Sequence, residues 1–185
     1  MNKSNVPENL FIDQLESPLG TMLVVHDAAR CLRVLDFQDY EARMHRLLRL
    51  HYGQVDVDFE LEAGSAPQST RSALQRYFRG DLAAIEDIPT ATGGTRFQRT
   101  VWAALCRIPV GTTVSYGALA RQLGCPKAVR AVGLANGANP IGIVVPCHRV
   151  IGADGSLTGY GGGIERKRWL LSHEGIHFRS DRHVA

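Results

Sequence analysis

A run of seven small, polar and turn-forming residues, from Pro89 to Thr95, most constrains how this chain can fold. The run reads PTATGGT, and neither a helix nor a strand favours its proline and its paired glycines. Apolar patterns lie on both sides of it, and 185 residues suffice for one large domain or two small ones. The sequence therefore predicts an N-terminal domain over residues 1–89, a linker over 90–95, a second domain over 96–178 and a tail over 179–185.

The two halves of the chain differ in charge. Residues 1–95 carry 9 Lys and Arg against 14 Asp and Glu, a net charge of −5, whereas residues 96–185 carry 12 against 4, a net charge of +8. A basic half indicates contact with a polyanion such as nucleic acid, although a basic surface can also serve only for solvation. The chain has no membrane-length apolar run and no signal-peptide core, so we expect a cytoplasmic protein with no membrane partner.

The first half alternates strand and helix patterns, which predicts an α/β module. Its carboxylates and apolar residues alternate as on the solvent face of a half-buried strand, and no group of side chains is typical of a catalytic site. The predicted elements are strands at residues 10–17, 21–27, 31–37 and 55–61, and helices at 40–51 and 68–78.

The second half is mainly helical. Two short predicted helices joined by the turn Gly124-Cys125-Pro126 have the outline of a helix-turn-helix, an outline shared by helical hairpins that bind nothing. The predicted elements are helices at residues 97–108, 116–123, 127–136 and 164–173, and a strand at 143–145.

The second helix of that pair has an unusual composition. It reads KAVRAVGLANG, in which Ala128, Ala131 and Gly133 are small and Arg130 is the only long side chain in the middle. A helix that reads base edges in the major groove would carry several Arg, Asn or Gln residues. Small residues instead allow a close backbone approach, either to a narrow groove or to a neighbouring helix in the core.

A cysteine and a histidine are adjacent in the segment VVPCHRVIG, at Cys147 and His148. A free thiol is mostly protonated at neutral pH, so it needs a base or a positive field to become a fast nucleophile. Neighbouring side chains on a strand point to opposite faces, so His148 can serve as that base only through a bent backbone or a bridging water. Glu174 opposes the dipole at the end of a predicted helix, which makes it the candidate partner for His148.

The other three cysteines show no spacing typical of a zinc site or a disulfide framework. Cys31 lies in a predicted strand and Cys106 follows Trp102 and Leu105 on a predicted helix, so we expect both to be small core residues. Cys125 is expected in a turn. The sequence therefore predicts no metal.

The motifs of the second half occur together and in order. P-C-H-R-V at 146–150 is preceded by S-Y at 115–116, R-A-V-G at 130–133 and N-P at 139–140, and it is followed by G-Y-G-G-G at 159–163 and H-E-G at 173–175. From residue 94 to 175 the chain strongly resembles the O6-alkylguanine-DNA alkyltransferases of the bacterial constitutive type. The resemblance implies an α/β, or α+β, protein. Its N-terminal domain would be ribonuclease H-like with a small, mainly antiparallel sheet, and a C-terminal winged helix-turn-helix domain would carry the active site.

The resemblance also implies the activity. The protein would flip a damaged base out of double-stranded DNA, which it binds through the minor groove. It would then transfer a methyl or other alkyl group from O6-alkylguanine irreversibly, once per molecule, to Cys147. Repair of O4-alkylthymine stays open. No cofactor and no obligate protein partner are implied, and we expect a monomer.

The resemblance assigns catalytic roles residue by residue. Cys147 would accept the alkyl group, His148 would act as its base through a water, and Glu174 would orient His148. Asn139 would brace the turn between the recognition helix and the active site. Tyr116 would lie near the target phosphate and donate a hydrogen bond to guanine N3.

Other residues would bind the base and the duplex. Arg130 would enter the base stack in place of the flipped nucleotide, and the backbone of Cys147 and Val150 would hold the guanine amine. Gly161 stands where some relatives have Ser, so a hydrogen bond to O6 at that position would come from the backbone. The remaining implied contacts are Tyr160 and Gly161 at the pocket near O6, and Ala128, Ala131 and Gly133 at the minor groove.

Two further hypotheses explain part of the sequence. A DNA-binding protein without transfer chemistry, like the alkyltransferase-like proteins that carry Trp in place of the acceptor, would not need Cys147. A thiol hydrolase would use Cys147 and His148, but it would need an oxyanion site and would leave the helix-turn-helix unexplained.

Overall fold

The computed structural model describes residues 9–53 and 61–176. The first half forms a four-stranded sheet in the order β3-β2-β1-β4, in which the first three strands are antiparallel and β4 runs parallel to β1. The predicted strand at 55–61 and the tail at 179–185 lie outside the described residues, except for Leu61. The strands are β1 Leu10–Leu15, β2 Met22–Asp27, β3 Leu32–Phe37 and β4 Leu61–Ala63.

Strands β2 and β3 are buried along their whole length, because the sheet is covered on both faces. On one face, Val25 and Val34 pack in a cluster with Met44 and Leu48 of helix α1, Glu41–Tyr52. The other face contributes residues such as Val24 to a second cluster, which also contains residues of the C-terminal half. The two halves therefore share one continuous core.

The second half is helical, as the sequence predicts, and it carries a two-stranded parallel sheet that forms the wing beside the helix-turn-helix. The wing strands are β5 Val114–Ser115 and β6 Val150–Ile151. Together with the N-terminal sheet, these elements confirm the predicted mixed α/β class. The remaining helices are α2 Gln68–Phe78, α3 Arg96–Leu105, α4 Tyr116–Gln122, α5 Val129–Gly137 and α6 Ile164–His173.

The linker run is attached to the sheet. The amide of Leu32 donates to the carbonyl of Pro89 at 2.8 Å, and the amide of Ala91 donates to the carbonyl of Leu32 at 3.0 Å. A second attachment joins Leu35 to the turn after α5, since its amide donates to Pro140 at 3.0 Å. Strand β3 is thereby hydrogen-bonded to the chain just before α3 and to the chain that leads toward Cys147.

The predicted strand at 143–145 is wrong. The segment forms successive turns, and Ile143 adopts the left-handed conformation with φ of 67°. The side chain of Asn139 replaces the hydrogen bonds of a strand, because it donates to the carbonyl of Val145 at 2.9 Å and accepts from the amide of Ile141 at 3.0 Å. Ile143 and Val145 are buried in the core, so the apolar composition alone could not distinguish a strand from a buried turn.

The expectation that Cys106 is a core residue is also wrong. It caps the C-terminal end of α3 and is exposed, since the buried stripe of that helix passes through Trp102 and Leu105 instead. Cys31 is half-buried just before β3, and Cys125 lies in the turn between α4 and α5. In the described parts of the chain, no helix is long and apolar enough to cross a membrane.

Helix α3 begins with a capping box inside the linker run. The side chain of Thr95 accepts a hydrogen bond from the amide of Gln98, whose own side chain accepts one from the amide of Thr95. We expect Thr95→Ala to cost about 1 kcal/mol of stability because an orphan helix amide loses its partner. The midpoint of thermal unfolding should fall by about 2–4 °C.

Thr100→Ala is the matched control. Thr100 is exposed on the same helix and its hydroxyl bonds only to the carbonyl of Arg96, so alanine should leave the melting temperature unchanged or raise it slightly. Equal losses in the two variants would show that the cap does not set the start of α3.

Candidate active site

Cys147 lies in a tight 3₁₀ turn, Cys147–Arg149, and not in an extended strand. The turn begins after Pro146 and leads directly into wing strand β6. Cys147 is 5% exposed and His148 is fully buried, so both side chains belong to the interior of the domain. The backbone at the adjacent Cys-His pair is therefore bent, which is one of the two arrangements that would let His148 serve Cys147.

Glu174 is the centre of a buried hydrogen-bonded cluster. It is 3% exposed, and its Oε1 atom lies 3.0 Å from Nε2 of His148. Arg149 donates to both carboxylate oxygens, from Nε at 2.8 Å and from Nη2 at 2.9 Å. The hydroxyl of Tyr77, on helix α2 of the N-terminal half, donates to Oε1 at 3.0 Å. One carboxylate thus receives donors from two elements, α2 and the Cys147–Arg149 turn, one in each half of the chain.

The charge states of this cluster follow from its partners. Burial alone would raise the pKa of Glu174, but hydrogen bonds and charges of His148 and Arg149 together outweigh it and lower the pKa to about 2. Burial lowers the pKa of His148, and the hydrogen bond and charge of Glu174 offset this only in part. At neutral pH an ionised carboxylate therefore faces a neutral imidazole.

This arrangement determines which nitrogen of His148 holds the proton. An ionised carboxylate can only accept hydrogen bonds, so Nε2 of His148 must be the donor to Glu174. Nδ1 then holds a lone pair. It is buried and makes no hydrogen bond to any residue of the described parts of the chain. The ring is thus oriented so that Nδ1 can accept a proton.

The surroundings of Cys147 act on its thiol in opposite directions. Burial raises the pKa of Cys147, while a hydrogen bond with Asn139 and the charges of Arg43 and Lys167 lower it in part. The net effect is a pKa above the ordinary value, so the thiol holds its proton at neutral pH. A base is needed to remove that proton as the sulfur reacts.

Asn139 joins the end of α5 to the segment that leads into the turn of Cys147. It is 1% exposed, and its amide group donates to the carbonyls of Val145 at 2.9 Å and Ile141 at 3.3 Å. Asn136, in the last turn of α5, donates to the carbonyl of Cys147 at 3.4 Å. A displacement of α5 is therefore transmitted to Cys147 through two amide side chains.

The loop at 159–163 lies beside this cluster. The ring of Tyr160 meets His148 edge-on, with centroids 6.5 Å apart. A Cβ atom on Gly161 would collide with the guanidinium of Arg43, so only glycine fits that position with Arg43 where it lies. Val150 is fully buried, and its carbonyl accepts a hydrogen bond from Nζ of the buried Lys167 at 2.6 Å.

The two faces of α5 differ, which accounts for its small residues. Val132 and Ala135 are buried, and the carbonyl of Ala135 accepts a hydrogen bond from the indole of Trp102 at 2.8 Å. The opposite face is exposed at Arg130, Ala131 and Leu134, the last with 70% of its surface accessible. The small residues of α5 thus allow tight packing on its buried face, and they leave little side-chain bulk around Ala131 on its exposed face.

Tyr116 begins helix α4, where Ser115 caps the helix through a hydrogen bond from the amide of Ala118. Its ring lies opposite Gly133 of α5, at 3.8 Å from the position that a Cβ atom there would take. Ala128 is half-buried at the start of α5. The structure therefore brings Tyr116 next to Gly133 of α5. The buried part of the site is formed by Cys147, His148, Asn139 and Glu174.

Four residues of the site were not predicted from the sequence: Arg43, Tyr77, Arg149 and Lys167. Arg149 stands inside the motif P-C-H-R-V, and an arginine among buried apolar residues signals a buried carboxylate partner. The other three are on separate helices and carry no such signal. Among the described residues, no cluster of three or more His, Cys, Asp or Glu side chains could hold a metal ion.

Comparison with known proteins gives matches over nearly the whole chain. Residues 11–92 match the ribonuclease-like domain, and residues 96–176 the DNA-binding domain, of the 6-O-methylguanine DNA methyltransferases. The methylated-DNA–protein-cysteine methyltransferase of Salmonella typhimurium is 52% identical over 90% of this chain and 96% of its own length. Its counterpart from Mycobacterium bovis is 61% identical over 86% and 89%. A crystal structure of Mycobacterium tuberculosis OGT in complex with DNA matches with a TM-score of 0.72 and 42% identity, over 89% of this chain and 92% of that one.

The buried Glu174 cluster makes the stability of the protein depend on pH. In the folded protein the pKa of Glu174 is about 2, below the ordinary 4.5. The contribution of the ionised carboxylate to stability is therefore complete above pH 4.5 and is lost as the pH falls toward 2. We expect Glu174→Gln to reduce the free energy of unfolding at pH 7 by about 3 kcal/mol, since Arg149 loses its buried partner. The difference between the variant and the wild type should shrink below pH 4.5 in urea unfolding curves.

Glu165→Gln is the control at the other end of the same helix. Its side chain is 84% exposed and lies 4.0 Å from Arg168, so its removal should change the stability by less than about 1 kcal/mol. A loss in Glu174→Gln that stays constant from pH 7 to pH 3 would contradict the assignment of an ionised, buried carboxylate.

Proposed function

Since the chain belongs to the family of the methylated-DNA–protein-cysteine methyltransferases, which repair alkylated DNA, we propose that Cys147 is its alkyl acceptor. The substrate is O6-alkylguanine in double-stranded DNA, with a methyl group or a larger alkyl group on O6. The observation that carries the proposal is the buried cysteine beside a histidine whose Nδ1 is kept unprotonated by an ionised carboxylate. O4-alkylthymine is a second possible substrate for the same chemistry.

The reaction is a single displacement at the alkyl carbon. The thiol of Cys147 gives its proton, through a water, to Nδ1 of His148 as the sulfur attacks. A carbon–sulfur bond forms, the carbon–O6 bond breaks, and its electron pair stays on the guanine. Tyr116 relieves that negative charge by donating a hydrogen bond to guanine N3, and the guanine finally takes up the proton that the thiol lost. The thioether is a poor leaving group, so each protein molecule acts once.

Glu174 makes His148 a better base without touching the substrate. Its negative charge stabilises the imidazolium that forms when His148 accepts the thiol proton. Arg149 and Tyr77 hold the carboxylate in place through three hydrogen bonds, so the ring cannot rotate away from its productive orientation. Asn139 holds the chain just before the acceptor through its hydrogen bond to Val145.

DNA recognition is assigned to the exposed face of α5. The small side chains of Ala128, Ala131 and Gly133 allow the helix to enter the minor groove, and Arg130 fills the stack after the damaged nucleotide has flipped out. The flipped base then enters between the Tyr160-Gly161 loop and the turn that carries Cys147, where backbone groups of Cys147 and Val150 contact the guanine amine. The protein acts on DNA as a monomer in the cytoplasm, with residues 1–89 and 96–178 as its two domains.

Transfer to Cys147 can be followed with a single labelled substrate. DNA that carries one labelled O6-methylguanine should place the label on Cys147, with an upper limit of one methyl group per protein molecule. Cys147→Ala should bind the same DNA and transfer nothing. Peptide mapping by mass spectrometry locates the label; repeated turnover, or label on Cys31, Cys106 or Cys125, would overturn the proposal.

Base flipping can be separated from chemistry with Arg130. Filling the vacated stack returns part of the few kcal/mol that extrusion of a nucleotide costs. Arg130→Ala should therefore slow repair of O6-methylguanine in duplex DNA by about tenfold or more at saturating protein. Transfer from free O6-benzylguanine, which needs no flipping, should change little.

The neighbouring Lys127 supplies the matched control. Lys127 is also exposed and basic, so Lys127→Ala removes a similar charge without removing an intercalating side chain. Its rate at saturation should stay near that of the wild type. If Arg130→Ala slows the duplex and the free base equally, Arg130 acts through folding or thiol activation and the flipping role is wrong.

A further inference from the structure

Arg43 crosses from the N-terminal domain to the active site. It lies on α1, and its Nη2 atom donates to the carbonyls of Gly137 at 3.1 Å and Asn139 at 3.0 Å. Its Nη1 atom pairs with Asp36 of β3 at 2.5 Å, and the side chains of Arg43 and Asp36 are 15% and 2% exposed. The guanidinium is therefore held on one side by its own domain and on the other by the end of α5.

The two carbonyls that Arg43 binds are functionally placed. The last carbonyls of a helix have no partner within the helix, and they favour a cation. Gly137 ends α5, the helix assigned to the minor groove, and the side chain of Asn139 bonds to Val145, two residues before Cys147. A guanidinium with several donors in one plane can hold both carbonyls at once, which a lysine ammonium cannot do with the same geometry.

The same guanidinium forms part of the wall of the proposed alkyl pocket. A Cβ atom on Gly161 would overlap Cζ and both nearby nitrogens of Arg43. A serine at this position, as in some relatives, would require Arg43 to move. Gly161 and Arg43 thus fit as a pair, and the N-terminal domain reaches the loop that closes over the substrate.

Charged and titratable groups from both halves of the chain surround Cys147. Arg43 of α1 and Lys167 of α6 are the cations, and both oppose the effect of burial on the pKa of Cys147. Asp36 of β3 neutralises part of the charge of Arg43. Tyr160 lies close to the sulfur, and burial followed by the charge of Cys147 raises the pKa of its hydroxyl, so it stays neutral. The remaining titratable groups are His148 and its partner Glu174, whose Nε2 and Oε1 atoms lie 3.0 Å apart.

We propose that Arg43 is a positioning residue for the alkyl transfer, through which the N-terminal domain holds the end of α5 and favours the thiolate of Cys147. The proposal rests on the function proposed above for Cys147. It makes the ribonuclease-like domain a participant in the reaction and not only a support for the DNA-binding domain. The hydrogen bonds fix the position of the acceptor turn, and the positive charge acts on the sulfur.

The test compares Arg43→Met and Arg43→Lys with the wild type. The rate of transfer from free O6-benzylguanine to Cys147 is measured from pH 5.5 to 9.5, and the rate with duplex O6-methylguanine DNA is measured at pH 7. Without the positive charge of Arg43, the thiolate of Cys147 is less favoured and forms at higher pH. Arg43→Met should therefore move the rising limb of the pH profile upward by about half a unit to one unit, which lowers the rate at pH 7 about three- to tenfold. Arg43→Lys should restore the profile but leave the duplex reaction slow, because lysine keeps the charge and loses the second carbonyl.

Arg33→Met is the control for loss of a buried arginine in the same domain. Arg33 pairs with Asp27 at 2.6 Å and contacts Tyr52, none of which belongs to the site. It should lower the melting temperature and leave the pH profile unchanged. A profile of Arg43→Met that overlies the wild type, with or without a loss of stability, overturns the proposal.

A second variant keeps the test decisive if Arg43→Met fails to fold. Asp36→Asn leaves the charge of Arg43 without its neutralising partner, so the pH profile should shift downward, and an unshifted profile contradicts the electrostatic role. Failure of the wild type itself to transfer the benzyl group would instead contradict the function proposed for Cys147. The two failures are therefore distinguishable.

Discussion

The rest of the site depends on the hydrogen bonds that the buried carboxylate of Glu174 accepts. A buried charge is tolerated only when its partners remain in place, and Glu174 receives hydrogen bonds from His148, Arg149 and Tyr77. Tyr77 belongs to the N-terminal domain, so separation of the two domains would remove one of the four hydrogen bonds that this buried carboxylate receives. The shared core and the attachment of the linker to β3 also hold the two domains together. The candidate active site is thus assembled by the packing of both halves of the chain.

The proposed recognition helix and the proposed acceptor are joined over a short stretch of chain. The exposed face of α5 ends at Gly137, and Asn139 carries the connection to the turn of Cys147. Arg43 holds that connection from the N-terminal side, while Glu174 orients His148 from the other. The proposed acceptor and its proposed base are therefore held by contacts from both halves of the chain in the absence of DNA. Preorganisation of this kind removes part of the ordering cost from the reaction itself.

Much of the local structure could be predicted from the sequence, because it depends on neighbours. Helices α2 and α6 have the predicted bounds, and the pairing of Glu174 with a buried partner followed from its unfavourable place at a helix end. The turns at 143–145 could not be predicted, since they depend on the side chain of Asn139, and their Ile143 and Val145 are as buried as strand residues would be. Arg43 and Tyr77 contact the site across 96 and 97 residues of sequence, a separation that leaves no periodic signal.

The state of His148 tests the central claim most directly. If an ionised Glu174 holds the ring, nitrogen NMR of ¹⁵N-histidine-labelled protein at pH 7 should show a neutral imidazole with its proton on Nε2 and a bare Nδ1. Glu174→Gln should change this pattern, because glutamine can also donate. A proton on Nδ1, or an imidazolium at pH 7 in the wild type, would contradict the account, since His148 could then not accept the proton of Cys147.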